Sequence, residues 1–180
     1  MDIDFHQLLI NRHSIRRYKN EAIEADVVKL IIEAGLLAPS SKSSRPWQFV
    51  IVEDKDILLR LSNCKSAGAL PLTGASMAIV ICGDPDKSDV FVEDCSVAAT
   101  FMQLQAAALG VGSCWIQIRN RYDSNEEPAQ NLIKETLNIP DNLQVVQIVT
   151  LGISDENRRP VDPSKLLWEK VHIGAWRNIE

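Results

Sequence analysis

Apolar positions recur along this chain with two different periods. Phe5, Leu8 and Leu9 share one side of a short helix predicted over Asp4–Asn11, and a second helical pattern runs from Glu24 to Ala38, where Pro39 stops it. Ser40–Arg45 is polar and turn-like. It leads into Pro46–Val52, whose aromatic and β-branched residues predict a strand, and Asp54 then caps a helix carrying Ile57, Leu58 and Leu61. After a Gly/Pro/Thr-rich stretch over Gly68–Gly74, Met77–Cys82 is a continuous apolar run ended by Gly83-Asp84-Pro85, as expected of a buried strand.

The longest helical pattern is Val92–Leu109, where Cys95, Ala98, Ala99, Met102, Ala106 and Leu109 form a face of mostly small side chains and Gly110 supplies the stop. That face suits a central core helix or a subunit contact. Ser113–Ile118 is a further strand. Ser124-x-x-Glu127 has the form of a capping box opening a helix through Leu132, Ile133 and Leu137 to Asn138 and Pro140, and Leu143–Leu151 follows as a strand. Asp162-Pro163 has the chemistry of a helix start and predicts a last helix over Ser164–Val171. Helices and strands alternate without a regular βαβ period, so the expected fold class is α+β, a small mixed or antiparallel sheet flanked by helices in one domain spanning 1–180.

Composition narrows the function classes. The 180 residues are 46% apolar and 24% charged, ordinary for a globular domain. Acidic residues outnumber basic ones by 24 to 19, a formal charge of −5, so the chain as a whole does not attract nucleic acid or an anionic membrane. Any bound anion needs a local basic cluster. Cys64, Cys82, Cys95 and Cys114 lie 13 to 19 residues apart with no CxxC pair, which argues for reduced core thiols rather than a metal site or disulfides. The charged N-terminal stretch lacks a long apolar segment, and a cytoplasmic location is expected.

The densest cationic cluster is Arg12-His13-Ser14-Ile15-Arg16-Arg17-Tyr18-Lys19. If it is extended, alternation puts Arg12, Ser14 and Arg16 on one side, two guanidinium forks around one hydroxyl, which suits a phosphate monoester as well as a solvated basic surface. Ala38–Trp47 is a hydroxyl-dense loop entering a strand, able to present donors to a planar heterocycle. In Gly110–Gln117 the glycines either let backbone approach a ligand or, at Gly110, cap a helix. His6, His13 and His172 have no nucleophile or carboxylate partner in sequence, and surface or capping roles are expected for all three.

In this order and spacing, Arg12–Arg16, Ala38–Trp47, Val92–Gly112 and Val149–Gly152 resemble the nitroreductase-like family of FMN-dependent oxidoreductases, with its Arg-x-Ser-x-Arg segment, Ala-Pro-Ser loop running into Gln-Pro-Trp, long helix with a Leu-Gly-x-Gly turn and closing strand. The resemblance implies an intertwined homodimer with FMN at the subunit interface, reduced by NADH or NADPH and reoxidised by a nitroaromatic, quinone or similar acceptor in a ping-pong cycle. FMN-dependent dehydrogenation or dehalogenation, and flavin binding without turnover, are the alternatives. Carried over, Arg12, His13, Ser14 and Arg16 match the phosphate and ribityl segment, and Ser40, Ser41 and Ser43 the loop that contacts the flavin from the other subunit. Trp115, Ile116, Gln117 and Ile118 match the strand passing the ring, with Gln117 or Ile118 supplying a backbone N–H to N5. Arg158 and Arg159 match basic residues near the phosphate. Where the family has asparagine and glutamine before Pro-Trp, this chain has Ser43 and Arg45, which adds a cation near the flavin. Arg119 and Arg121 either face solvent or line the nicotinamide side. No metal, nucleic-acid or membrane partner is implied, and the family likeness at this length implies an open, sparsely lidded pocket.

Overall fold

A computed structural model describes residues 4–176; the expected span of 1–180 extends beyond the described residues at both ends. Ten elements succeed one another: α1 (Phe5–Asn11), α2 (Ala25–Leu36), β1 (Trp47–Val52), α3 (Lys55–Leu61), α4 (Pro71–Gly74), β2 (Met77–Gly83), α5 (Phe91–Ala108), β3 (Gly112–Gln117), α6 (Ala129–Leu137) and β4 (Gln144–Gly152). The strands form one sheet in the order β1-β2-β4-β3, antiparallel at every pairing. Of the two sheet types left open by the sequence, the antiparallel one is realised.

Strand alternation builds two cores. Met77, Ile79 and Ile81 of β2 face α2 and α5, while Ala78, Val80 and Cys82 face the side covered by α3 and α6. A strand enclosed on both faces reads as an unbroken apolar run, and every residue of β2 is buried. The small-residue face of α5 is mostly spent on the core: Cys95, Ala98, Ala99, Met102 and Ala106 are fully buried. A β-carbon on Gly35 of α2 would lie 2.1 Å from the Met102 side chain, so the glycine sets how closely these helices approach. All four cysteines are buried and unpaired, and burial pushes the Cys82 and Cys95 thiols up to about 12.

Two local expectations fail for physical reasons. Ser124 caps nothing: Asp123 accepts from the backbone N–H groups of Asn125 and Glu127 at 2.7 and 3.0 Å, and Pro128 delays the helix to Ala129. Asp162 does cap the Ser164 N–H at 3.0 Å, but Ser164–Val171 is two isolated 3-10 turns, Pro163–Lys165 and Trp168–Lys170, rather than a helix. Leu166, Leu167, Trp168 and Val171 stay exposed, so no packed face supports a helix there. The Gly68–Gly74 stretch contains the one-turn α4, started by Pro71.

The glycines at the end of the sheet have a packing role that the sequence did not disclose. Gly112 and Gly152 are cross-strand partners. A β-carbon on Gly112 would lie 3.0 Å from the Ile15 side chain, and one on Gly152 would lie 2.7 Å from the Tyr18 ring. Gly112 therefore makes room for the chain's own Ile15 rather than for a ligand, and Gly110, at φ 75°, ends α5 in the left-handed conformation that favours glycine. Gly152→Ala should cost about 1–3 kcal/mol in urea unfolding through overpacking. The same substitution should cost less in a Tyr18→Ala background than in the wild type; a neutral Gly152→Ala removes the close-packing account.

Candidate functional site

Beyond α1 the chain runs extended across the end of the sheet as a strap. Ile15 N–H donates to the Ser113 carbonyl at 2.8 Å, Lys19 N–H to Ile153 at 2.9 Å, and Asp155 N–H returns a bond to Arg17 at 3.0 Å. Ile15 is buried, and the Tyr18 hydroxyl reaches beneath the strap to donate to the Ile15 carbonyl at 2.6 Å and meet the Thr150 hydroxyl at 2.8 Å. With Ile15 turned inward, alternation turns Arg12, Ser14 and Arg16 the other way. Neither Arg12 nor Arg16 has a carboxylate within ion-pair distance among the described residues.

The carboxylate that could neutralise them is used elsewhere. Glu156 accepts from the backbone N–H groups of Arg16 and Arg17 at 3.0 and 2.8 Å through one oxygen, and from Arg158 Nε at 2.6 Å through the other. Burial opposes its ionisation, but the Arg16 N–H, the Arg158 guanidinium and the Arg17 N–H outweigh it and hold the carboxyl below the usual glutamate range. The strap's backbone is thereby pinned, and Glu156 also lies 3.9 Å from Arg17 Nε, while the Arg12 and Arg16 guanidinium groups stay uncompensated among the described residues.

β3 is an edge strand, paired on one side by β4 and, among the described residues, bridged by backbone on the other only where Ser14 meets Ser113. Ile118 N–H donates inward to Val146 at 3.2 Å, so by antiparallel alternation the N–H and C=O of Gln117 point to the open side. Lys65 takes that carbonyl, donating at 2.8 Å, and among the described residues the Gln117 N–H has no partner. On the same strand Trp115 Nε1 donates to Gln117 Oε1 at 3.0 Å, fixing both side chains. Ile116 and Ile118 are core residues.

The hydroxyl-rich loop lies at the opposite corner, at the start of β1 on the far edge of the sheet. Three strand spacings separate the edges, about 14 Å. Its backbone is strained: Lys42, Ser43 and Arg45 have φ of 51°, 54° and 45°. Each costs on the order of 1 kcal/mol or more for a residue with a β-carbon. Buried Asp94 of α5 holds the loop, accepting from Ser41 N–H at 2.8 Å and from Ser88 at 2.9 Å, while Ser40 Oγ accepts from Arg45 N–H at 2.9 Å. Ser44 Oγ is buried without a partner among the described residues.

The nitroreductase family model matches residues 9–70 and 71–153, which takes in the strap, the strained loop, β3 and β4. The chain belongs to the nitroreductase family. A candidate NADH dehydrogenase/NAD(P)H nitroreductase of Archaeoglobus fulgidus is 35% identical over 175 residues, covering 94% of this chain and 97% of that protein. The solved FMN-dependent nitroreductase of Clostridium difficile R20291 shares 45% identity with a TM-score of 0.92 over 95% of this chain and 99% of its own, so the fold is nitroreductase-like. A shorter match, 38% identical over 58 residues, reaches 20% of the iodotyrosine deiodinase 1 of Sus scrofa and 32% of this chain.

Within this nitroreductase-family chain the expected site residues fall in two groups. Arg12, His13, Ser14, Arg16, Arg158 and the outer side of Trp115–Gln117 gather around the strap and β3, whereas Ser40, Ser41 and Ser43 stand across the sheet. Between the two backbone donors left open by the sequence, Gln117 has the free N–H and that of Ile118 is spent. His13 is not the surface residue expected: it is half-buried with Nε2 shielded and unpartnered, while His6 is exposed and His172 stacks on Trp176 at 4.1 Å. Arg159, Arg119 and Arg121 are exposed. Glu156, Asp94 and Lys65 were missed, because each acts on backbone groups 52 or more residues away and nothing in their neighbours' sequence marks that.

A carboxyl held low in the folded chain contributes stability that is full above the ordinary glutamate value of about 4.3 and disappears as pH falls through its lowered value. Glu156→Gln should therefore flatten the acid limb of stability against pH, measured by thermal unfolding between about pH 3 and pH 6. An unchanged acid limb would remove Glu156 as the titrating tether.

Proposed function

We propose that this domain is an FMN-dependent NAD(P)H oxidoreductase that passes electrons from the nicotinamide to a nitroaromatic, quinone or similar acceptor. The observation that carries the reading is the pair of uncompensated guanidinium groups of Arg12 and Arg16 around Ser14, beside a strand edge with a free backbone N–H at Gln117. The donor set fits a phosphate ester joined to a planar heterocycle. His13 Nε2, buried in the same segment and lacking a partner, adds an orphaned polar atom of the kind a bound ligand satisfies.

When bound, FMN supplies two-electron redox chemistry that the side chains cannot. Arg12, Ser14 and Arg16 hold its phosphate and ribityl chain, with Arg158 and Arg159 nearby, and Glu156 keeps the strap's backbone in place. The Gln117 N–H orients the ring, and the fixed Trp115–Gln117 pair shapes its surroundings. A buried thiol raised to about 12, as at Cys82 and Cys95, is no nucleophile at neutral pH, which fits chemistry resting on the cofactor.

The site is completed, on this reading, by a second copy. Ser40, Ser41 and Ser43 sit too far across the sheet to serve the strap of their own chain. Exposed Phe5, Leu9, Leu37 and Phe101, with Leu167, Trp168 and Ile173 of the C-terminal segment, supply apolar surface for a homodimer. Reductive dehalogenation is the second reading, supported by the partial likeness to a deiodinase.

Purified protein should be yellow and release FMN on denaturation. Arg12→Ala combined with Arg16→Ala should weaken FMN binding by about 100-fold or more, from two charge-assisted contacts. Unchanged affinity, or a monomer that retains FMN, would contradict the interface phosphate site. NAD(P)H oxidation with nitroaromatic, quinone and iodoaromatic acceptors separates the two readings, and no turnover with any of them leaves a flavin-binding protein.

A further inference from the structure

Arg119 and Arg121 flank the turn that closes β3, and the function proposed above makes no use of either. The Ile118 and Arg119 N–H groups both donate to the Val146 carbonyl, at 3.2 and 3.0 Å, which ends the strand ladder. Asn120 then takes a left-handed φ of 57°, and Arg121 N–H closes the turn on the Ile118 carbonyl at 3.0 Å. Two further bonds fix the outgoing chain: Ala129 N–H donates to the Arg121 carbonyl at 2.9 Å and Ser66 N–H to the Tyr122 carbonyl at 3.2 Å. Both exposed arginine side chains therefore rise from a held backbone.

They border a cavity of about 210 Å³ whose wall includes Asn120, Tyr122, Gln130 and Gln144. None of the described residues lining it is acidic, in a chain where acidic residues outnumber basic ones by 24 to 19. Neither arginine has a carboxylate within ion-pair distance among the described residues. Carboxylates of the following loop turn to their own neighbours: Asp123 accepts from the Asn125 and Glu127 N–H groups, and Glu127 accepts from Asn131 Nδ2 at 3.3 Å. Gln130 spends its oxygen on the Val145 N–H at 3.3 Å, which leaves its amide nitrogen as a donor. Two guanidinium groups and an amide donor with no carboxylate among them suit an anion. The cavity is smaller than the roughly 300–1,000 Å³ that encloses a whole ligand, so it suits one charged group of a larger molecule.

Its position separates it from the cations already assigned to the cofactor. Arg119 lies two residues past Gln117, at most about 7 Å along the chain. Arg121 stands near Lys65, which holds the Gln117 carbonyl at 2.8 Å: burial lowers the lysine pKa, and repulsion by Arg121 lowers it further. The strap, by contrast, meets β3 at Ser113, about 13 Å from Gln117 in extended chain. We infer that Arg119 and Arg121 form a separate anion subsite for a phosphate or carboxylate carried by the molecule that exchanges electrons with FMN. The two sources of that chemistry are the 2′-phosphate that distinguishes NADPH from NADH and a carboxylate on the acceptor. The inference rests on the FMN reading above and adds to it a charge preference.

Binding is read at equilibrium, without turnover, from the flavin absorbance of FMN-loaded protein. Two pairs of unreactive ligands each differ by an anionic group: tetrahydro-NADPH against tetrahydro-NADH, and benzoate against benzamide. The wild type should bind the more anionic member of at least one pair about tenfold more tightly, or 1.4 kcal/mol, and added salt should shrink that preference. Arg119→Gln combined with Arg121→Gln should bring the preference below about threefold, while affinity for the less anionic member changes by less than about threefold. A loss confined to the nucleotide pair assigns the subsite to the 2′-phosphate, one confined to the benzoate pair assigns it to an acceptor carboxylate, and a loss in both assigns it to either anion in turn. No preference in the wild type, or a preference unchanged in the double variant, overturns the proposal. If the double variant does not fold, each single Gln variant should lose about threefold of the preference, and no loss in either overturns it. Wild-type protein that binds no FMN overturns the FMN reading and this inference together, whereas FMN-loaded variants with an unchanged preference overturn this inference alone.

Discussion

The seating of the strap on the sheet is the contact on which the rest of the site depends. Ile15 and Tyr18 fit a shallow notch left by two glycines, Gly112 and Gly152, that face each other across β3 and β4. Close approach lets backbone bonds form from Ile15 to Ser113 and from Lys19 to Ile153, which fix the strap in extended form. Extended backbone in turn decides that an inward Ile15 means outward Arg12, Ser14 and Arg16. The same contact covers the upper part of the β3 edge and leaves Gln117 open below it. A side chain larger than hydrogen at either glycine would lift the strap and move the cations, the tether to Glu156 and the edge together.

Charge is distributed around that contact by design of the backbone more than by ion pairing. The chain is acidic overall, and the buried carboxylates nearest the candidate site are occupied with main-chain N–H groups: Glu156 with Arg16 and Arg17, Asp94 with Ser41. Each carboxylate fixes a loop; Glu156 also pairs with Arg158 and Arg17 but leaves Arg12 and Arg16 without a carboxylate among the described residues. Lys65 follows the same pattern from the opposite sign, giving its ammonium to a carbonyl. The result is a set of positioned, uncompensated positive groups along one strand edge, with a strained hydroxyl loop at the far corner that one chain cannot bring to them. The proposed interface between two copies would bring both halves together and would cover the exposed apolar side chains of α1, α5 and the C-terminal segment.

Elements with strong periodicity or unbroken apolar character were legible in the sequence, and the reasons are local. β2 reads as a buried strand because it is enclosed on both faces, and α5 reads as a helix because its small residues repeat every three or four positions. Asp54 does cap its helix, accepting from Asp56 and Ile57 N–H groups. The failures are contests between nearby groups of similar chemistry: Asp123 outcompetes Ser124 for the same backbone donors, and a correctly capped start at Asp162 does not become a helix without a surface to pack on.

By itself the sequence determined the α+β class, the order of the four strands and of the helices between them apart from α4, the buried thiols and the Arg12–Arg16 cluster, because these follow from composition, period and short spacing. Tertiary structure alone decided that the sheet is antiparallel, that Gly112 serves Ile15, that Gln117 rather than Ile118 keeps a free N–H, and that Glu156, Asp94 and Lys65 hold distant backbone groups of the strap, the hydroxyl loop and β3. Each of those depends on which distant backbone groups are left unpaired once the strands have docked, and no local pattern encodes a hydrogen bond made across 52, 53 or 140 residues of chain.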